Sequence, residues 1–131
     1  MKRIISILSI MLVGTLLYSQ APESFSYQTV IRNSSWNVLA NQTVGLEISI
    51  LEDFANGTVV YKETHNTTTN NIGLVNLAVG EGSVVSGHFS LIDWGNHSFF
   101  IEVAVDISGG TNYQVMGTTQ LRSVPYALYA K

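Results

Sequence analysis

Apolar and polar residues alternate with a period of two along most of the chain after residue 20. Successive side chains of a strand point to opposite faces of a sheet, so this alternation is typical of half-buried β-strands. The pattern predicts about seven strands, whose apolar rows begin at Phe25, Val44, Val59, Val75, Val84, Phe99 and Tyr113. Segments rich in Asn and Gly separate the rows, as the tight turns of antiparallel hairpins require.

Short strands at fairly regular spacing, with no helical pattern between them, predict an all-β protein built as an antiparallel β-sandwich. About seven strands in roughly 100 residues fit the immunoglobulin-like layout. The chain has no cysteine, so the disulfide core of antibody domains is absent, and transthyretin-like and fibronectin-like relatives of the sandwich remain alternatives. The residues expected in the core are Phe25, Tyr27, Ile48, Trp94, Phe99 and Ile101.

The first 20 residues have the layout of a secretory signal peptide. A basic pair opens the segment, residues 4–18 are predominantly apolar, and a polar pair follows. The apolar stretch is shorter than the ~20 residues of a membrane-spanning helix. We therefore predict a signal helix over residues 1–20, cleaved after Ser19, Gln20 or Ala21, and no membrane insertion after its removal.

The charge and cysteine content indicate where the protein is located and which partners it does not bind. Loss of Lys2 and Arg3 with the signal leaves four basic residues against nine acidic ones. This balance argues against nucleic acid, whose phosphates require a basic face, and against electrostatic binding to membranes. Small secreted domains often depend on disulfides, and a cysteine-free one must depend on its hydrophobic core. We expect a bacterial protein that is secreted or held at the cell surface.

No arrangement of residues in the sequence indicates catalysis. The chain lacks both cysteine and a Gly-x-Ser-x-Gly elbow, so nucleophilic catalysis has no candidate. His65, His88 and His97 do not have the short spacings of metal ligands. Glu52 and Asp53 are adjacent on a predicted turn, where we expect their carboxylates to point apart. The sequence predicts a protein that is not an enzyme and has no metal or cofactor.

Two tryptophans on predicted turns, Trp36 and Trp94, are the candidate ligand contacts. Trp94 lies in the segment 93–97, which is also interpreted as a turn whose tryptophan closes one end of the core. The polar segment 65–71 is interpreted as a strand end and loop facing water, or else as a ledge that contacts sugar. The ligands expected for such surfaces are glycans or other cell-surface proteins.

Several segments together resemble the N-terminal β-rich domain of many secreted Bacteroidota proteins. The most specific is Leu-Arg-Ser-Val-Pro-Tyr-Ala-Leu-Tyr-Ala-Lys at 121–131, and the others are 25–33, 41–45, 61–65, 71–75 and 109–113. The resemblance covers essentially the whole chain after the signal. It implies that residues 21–122 form a head domain, which longer relatives join to stalk-like, collagen-like or tail-fibre-like regions. It implies no catalytic residues.

Residues 123–131 have the pattern of a helix beginning. Ser123 suits the cap and Pro125 the first turn, and Tyr126 and Tyr129 share a helical face. So short a helix is not stable alone, so the stub is expected to dock on the sandwich, extend into a stalk, or fray. Pro125, Tyr126 and Tyr129 are the candidate contacts for a stalk or a homo-oligomer.

These patterns lead to one functional prediction and one alternative. The chain is expected to be a non-catalytic, exported structural or attachment module, the head of a larger surface or fibre-like protein. The alternative is an extracellular module that binds glycans or proteins.

Overall fold

The computed structural model describes residues 23–122, which form two antiparallel sheets with seven strands. The predicted signal helix over 1–20 and the helical stub over 123–131 lie outside the described residues. One 3₁₀ turn, Phe89–Leu91, interrupts the β structure. No helix in the described part of the chain is long and apolar enough to cross a membrane. The strands are β1 Phe25–Val30, β2 Thr43–Glu52, β3 Thr58–Thr68, β4 Leu74–Val79, β5 Ser83–Gly87, β6 Phe99–Asp106 and β7 Gln114–Leu121.

The larger sheet is organised around its central strand, β2. Its strand order is β5-β3-β2-β6-β7, and the smaller sheet pairs β1 with β4. Ile48 at the middle of β2 lies opposite Glu63 of β3 and Val103 of β6. Residues directly opposite one another share a face of the sheet, so these three side chains point the same way. The period-two rows of the sequence therefore align into one continuous inner face.

The hydrophobic core lies between the two sheets. Ile48, Ile101 and Phe99 are at most 3% exposed, and they cluster with Val75 and Val79 from the smaller sheet. Burying a side chain of this size stabilises the fold by about 1.5–3 kcal/mol. Phe25, Tyr27 and Trp94 are partly buried and pack against the same cluster. The predicted all-β antiparallel sandwich is confirmed, and of the six predicted core residues Ile48, Phe99 and Ile101 are buried while the other three border the core. Its immunoglobulin-like or transthyretin-like type stays a prediction.

The five-stranded sheet is covered unevenly by the two-stranded one. On β6 the inner row is almost fully buried, with Val103 3% and Val105 5% exposed. On β7, Gly117 lies opposite Val103, yet a Cβ atom placed there would have no neighbouring atom within 4 Å. The β7 side of the sandwich is thus open, and a groove forms between it and the end of β1.

Candidate functional site

Trp36 lies on the loop between β1 and β2, with 75% of its surface exposed. The side-chain oxygen of Asn33 accepts the backbone N–H groups of Ser35 and Asn37 at 2.9 and 3.0 Å. The Trp36 N–H donates to the Asn33 carbonyl at 2.8 Å. Asparagine favours turns because its side chain can hydrogen-bond the backbone in this way. Trp36 has φ +71°, a conformation that bulky residues rarely adopt, so these bonds fix how the ring is presented.

The guanidinium of Arg32 lies over one face of the Trp36 ring and braces the loop. Its Cζ atom is 5.4 Å from the ring centroid, within cation–π range. Its Nη1 also donates to the Trp36 carbonyl oxygen at 3.0 Å. Among residues 23–122, no carboxylate lies within 4.0 Å of this guanidinium. The loop therefore presents an aromatic ring next to a cation that has no ion-pair partner in the described structure.

These two residues form part of the wall of an open groove of about 840 Å³. The groove runs between the end of β1 with its following loop and the segment where β6 passes into β7. Its volume falls within the range usual for small-ligand sites, roughly 300–1,000 Å³. Beyond Arg32 and Trp36 the lining combines amides with apolar side chains: Asn33, Asn112, Gln114, Ile107, Val115 and Met116.

The opposite wall is held by Asp106 at the end of β6. This carboxylate accepts the hydroxyl of Ser108 at 2.6 Å and the N–H groups of Ser108 and Asn112 at 2.9 Å each. These hydrogen bonds, led by that of the Ser108 hydroxyl, lower the pKa of Asp106 below its ordinary value. Asp106 thus stays ionised and fixes the loop that carries Asn112 into the groove.

The second predicted contact, Trp94, lies at the other end of the sandwich. Its ring is 5.0 Å from that of Phe99, 5.7 Å from Phe89 and 6.1 Å from Phe25. Phe25 begins β1 and Phe99 begins β6, whereas the groove lies at the ends of both strands. Trp94 closes one end of the core, as its segment predicted. The structure does not bring Trp36 and Trp94 together, and a ligand contact at Trp94 stays a prediction.

Glu63 is a buried carboxylate on the inner face of β3. One oxygen accepts the Tyr61 hydroxyl at 2.6 Å and the N–H groups of Gly80 and Gly82 at 2.9 and 3.2 Å. The other accepts Nε2 of His65 at 2.5 Å. Burial opposes ionisation, but these hydrogen bonds outweigh it and lower the pKa of Glu63. Burial and the bond to Glu63 also raise the pKa of Tyr61.

Glu52 and Asp53 do not point apart, and this expectation was wrong. Nδ1 of His97 lies 3.2 Å from each Asp53 carboxylate oxygen, and Nε2 lies 3.8 Å from an oxygen of Glu52. Asp53 has φ +70°, a left-handed backbone conformation that Asp adopts more readily than most residues. Both ring nitrogens face carboxylates, and the pKa of His97 is raised, chiefly by its hydrogen bond to Asp53. These three side chains can supply metal ligands, but their geometry fits a doubly protonated imidazole.

The three histidines remain in separate surroundings. His65 contacts Glu63, His97 contacts Glu52 and Asp53, and exposed His88 precedes the 3₁₀ turn. Within residues 23–122, no two of them share a carboxylate. The predicted stalk contacts Pro125, Tyr126 and Tyr129 lie outside the described residues.

A family model described as a domain of unknown function (DUF8740) matches residues 26–120. The chain belongs to this family. No curated protein and no solved structure matches the chain. The matched region includes the Trp36 loop, both walls of the groove, Glu63, and Trp94 with Phe89 and Phe99.

Sequence reasoning identified Trp36 but missed Arg32 and the groove. The available signal was a basic residue four positions before a tryptophan, across a turn rich in Asn and Ser. The groove itself gave no signal, because its walls come from segments more than 60 residues apart in the chain.

Proposed function

We propose that this chain is a non-catalytic, exported attachment module, the head of a larger surface or fibre-like protein. The groove beside Trp36 is its contact surface. The observation that carries the proposal is a tryptophan 75% exposed, held at positive φ by a hydrogen-bonded loop above an open groove. Tryptophan and arginine, together with tyrosine, are the residues most enriched among those that contribute most of the binding energy of an interface.

The surroundings of the ionisable groups support a non-catalytic role. Every buried side-chain nitrogen or oxygen atom in the described residues has a hydrogen-bond partner. Glu63 has four donors around it, and Asp106 bonds within its own loop. Each of these carboxylates thus holds backbone in place. A catalytic acid or base instead needs access to the proton that it transfers.

The resemblance to head domains of Bacteroidota surface proteins supports the proposed location and assembly. A signal peptide at 1–20 directs export, and residues 123–131 join the head to a stalk. Pro125, Tyr126 and Tyr129 provide the contacts of that junction, where copies of the chain associate.

Binding to an array of bacterial extracellular polysaccharides and purified surface proteins tests the attachment function. We expect the exported chain to bind at least one class of ligand and Trp36→Ala to lose that binding. Leu91→Ala is the matched control, because Leu91 is 76% exposed but lies outside the groove. Equal binding by all three proteins, or no binding to any ligand, would overturn the proposal.

A further inference from the structure

The groove contains the guanidinium of Arg32, which forms no ion pair with a carboxylate of residues 23–122. Lys62, in contrast, lies 3.8 Å from the carboxylate of Glu47. Arg32 uses one nitrogen to brace Trp36, so the remaining N–H groups of its guanidinium are available. Nine acidic residues dominate the charge of the chain, which makes this exposed guanidinium a local exception.

Asp106 is the only carboxylate that lines the groove, and it does not form an ion pair with Arg32. Its two oxygens accept three hydrogen bonds from Ser108 and Asn112 within its own loop. An incoming carboxylate therefore meets a guanidinium whose planar fork matches its geometry.

The other lining groups suit a sugar. The face of an aromatic ring is negatively polarised, so it attracts the weakly positive C–H groups on the apolar face of a pyranose. Trp36 supplies such a ring, and the amides of Asn33, Asn112 and Gln114 supply donors and acceptors for hydroxyl groups. The groove is open and of a size that accommodates a short oligosaccharide.

We infer that the Trp36 groove binds an acidic polysaccharide of the uronic acid class. One sugar ring stacks on the face of Trp36 that Arg32 does not cover, and a carboxylate of the polysaccharide pairs with Arg32. This inference rests on the proposed attachment function and names the ligand of the same groove.

Titration calorimetry with defined oligogalacturonates tests the inference, with neutral oligogalactans as the comparison. We expect the exported chain to bind the acidic oligomer more tightly and to lose affinity as salt rises. Arg32→Gln should weaken acidic binding by about tenfold or more, since hydrogen bonds to charged groups are the stronger kind. Trp36→Ala should abolish binding of both oligomers.

Two further variants test whether a loss of affinity comes from specific recognition by Arg32, from the change in net charge, or from damage to the loop. Arg122→Gln removes the same charge outside the groove and should leave acidic binding unchanged. Arg32→Lys keeps the charge without the planar fork and should bind with intermediate affinity. Circular dichroism and thermal melts establish that each variant is folded. If Arg122→Gln lost as much affinity for the acidic oligomer as Arg32→Gln does, the inference would be overturned.

The outcomes also separate this inference from the attachment function. Trp36-dependent binding in which the acidic oligomer is held no more tightly than the neutral one, with Arg32→Gln leaving both affinities unchanged, would overturn the acidic ligand and retain the contact surface. The absence of Trp36-dependent binding to acidic sugars, neutral sugars and proteins alike would overturn both.

Discussion

Glu63 shows how one residue ties distant parts of the chain together. Its buried carboxylate is bonded by Tyr61 and His65 on its own strand and by Gly80 and Gly82 after β4. A buried charge is tolerated only when its oxygens are satisfied, and here four donors do so. The turn between β4 and β5 is thereby held against the inner face of β3.

Replacing Glu63 with Gln should destabilise the fold by about 3 kcal/mol, a loss typical of a broken buried network. The glutamine retains the shape, but its NH₂ group faces donors instead of accepting from them. The free energy of unfolding in urea measures the loss. Glu47→Gln, which affects the partly exposed pair with Lys62, serves as the control and should cost less than about 1 kcal/mol. Equal losses in the two variants would show that the network does not stabilise the fold.

Because the pKa of Glu63 is lowered in the folded protein, the free energy of unfolding depends on pH in the acidic range. That folded-state pKa lies below the ordinary value of 4.5, so the folded protein binds this proton less readily than the unfolded chain does. The stabilisation is therefore complete above pH 4.5 and is lost as pH falls through the folded-state pKa. Urea unfolding at a series of acidic pH values should show this loss in the natural chain. A loss of the same size in Glu63→Gln would assign it to other carboxylates.

At the scale of elements, the contact between His97 and Asp53 joins the turn after β2 to the start of β6. The Asp53 N–H also donates to the Ser98 carbonyl oxygen at 2.7 Å, so backbone and side chain act together. Because the contact of His97 with Asp53 is stronger when the imidazole is protonated, the stability of this junction should change with pH near neutrality.

NMR titration of the His97 ring should give a pKa above the ordinary value of 6.5, because Asp53, Glu52 and Asp93 favour the charged ring. A raised pKa means that the contribution to stability is fully present below pH 6.5 and is lost as pH rises through the folded-state value. Asp53→Asn should bring the His97 pKa back toward 6.5, whereas Glu47→Gln should not change it. A His97 pKa that is the same in both variants would contradict this account.

Most elements were predictable because alternation is a local property of the sequence. All seven strands appear near their predicted apolar rows, although the fifth, predicted over residues 84–89, occupies Ser83–Gly87. Phe89, the last residue of that predicted run, instead begins the 3₁₀ turn, and its ring centroid lies 5.3 Å from that of Tyr61. The polar segment 65–71 was predicted to be a strand end and loop facing water, and β3 does end within it, at Thr68, although Thr69 is buried. Pairing with Thr43 of β2, which is long-range, decides this boundary.

The candidate site was less predictable than the strands. Asn33 and Trp36 have local signals, a turn residue and a large aromatic side chain among polar neighbours. The approach of Asn112 and Gln114 to Arg32 depends on how β1 lies over the larger sheet, and no local pattern specifies that. The contact of Asp53 with His97 likewise depends on the antiparallel pairing of β2 with β6.

At the scale of the whole molecule, the exposed strand edges favour association between copies of the chain. β5 lies at one edge of the larger sheet, and all five of its residues are exposed, with Val84 59% and Val85 56% exposed. Charged residues make up only 11% of the chain, so few charges protect such edges. An unprotected apolar edge can pair with an edge of another copy.

Val85→Lys should reduce association at high protein concentration without lowering the melting temperature. Val85 is passed over in the pairing of β5 with β3, so its replacement does not break that register. Light scattering across a concentration series measures association. Asn71→Lys adds the same charge on the turn before β4 and should reduce association much less. If the two variants behaved alike, net charge rather than the β5 edge would govern association.

The separation of the two tryptophans also makes the molecule its own optical reporter. Trp94 is enclosed by Phe25, Phe89 and Phe99, so its emission should follow unfolding of the core. Trp36 is exposed at the far end, where a soluble quencher reaches it and a bound sugar would shield it. The chain has only these two tryptophans. Folding and ligand occupancy are therefore readable as two distinct fluorescence signals from one unlabelled sample.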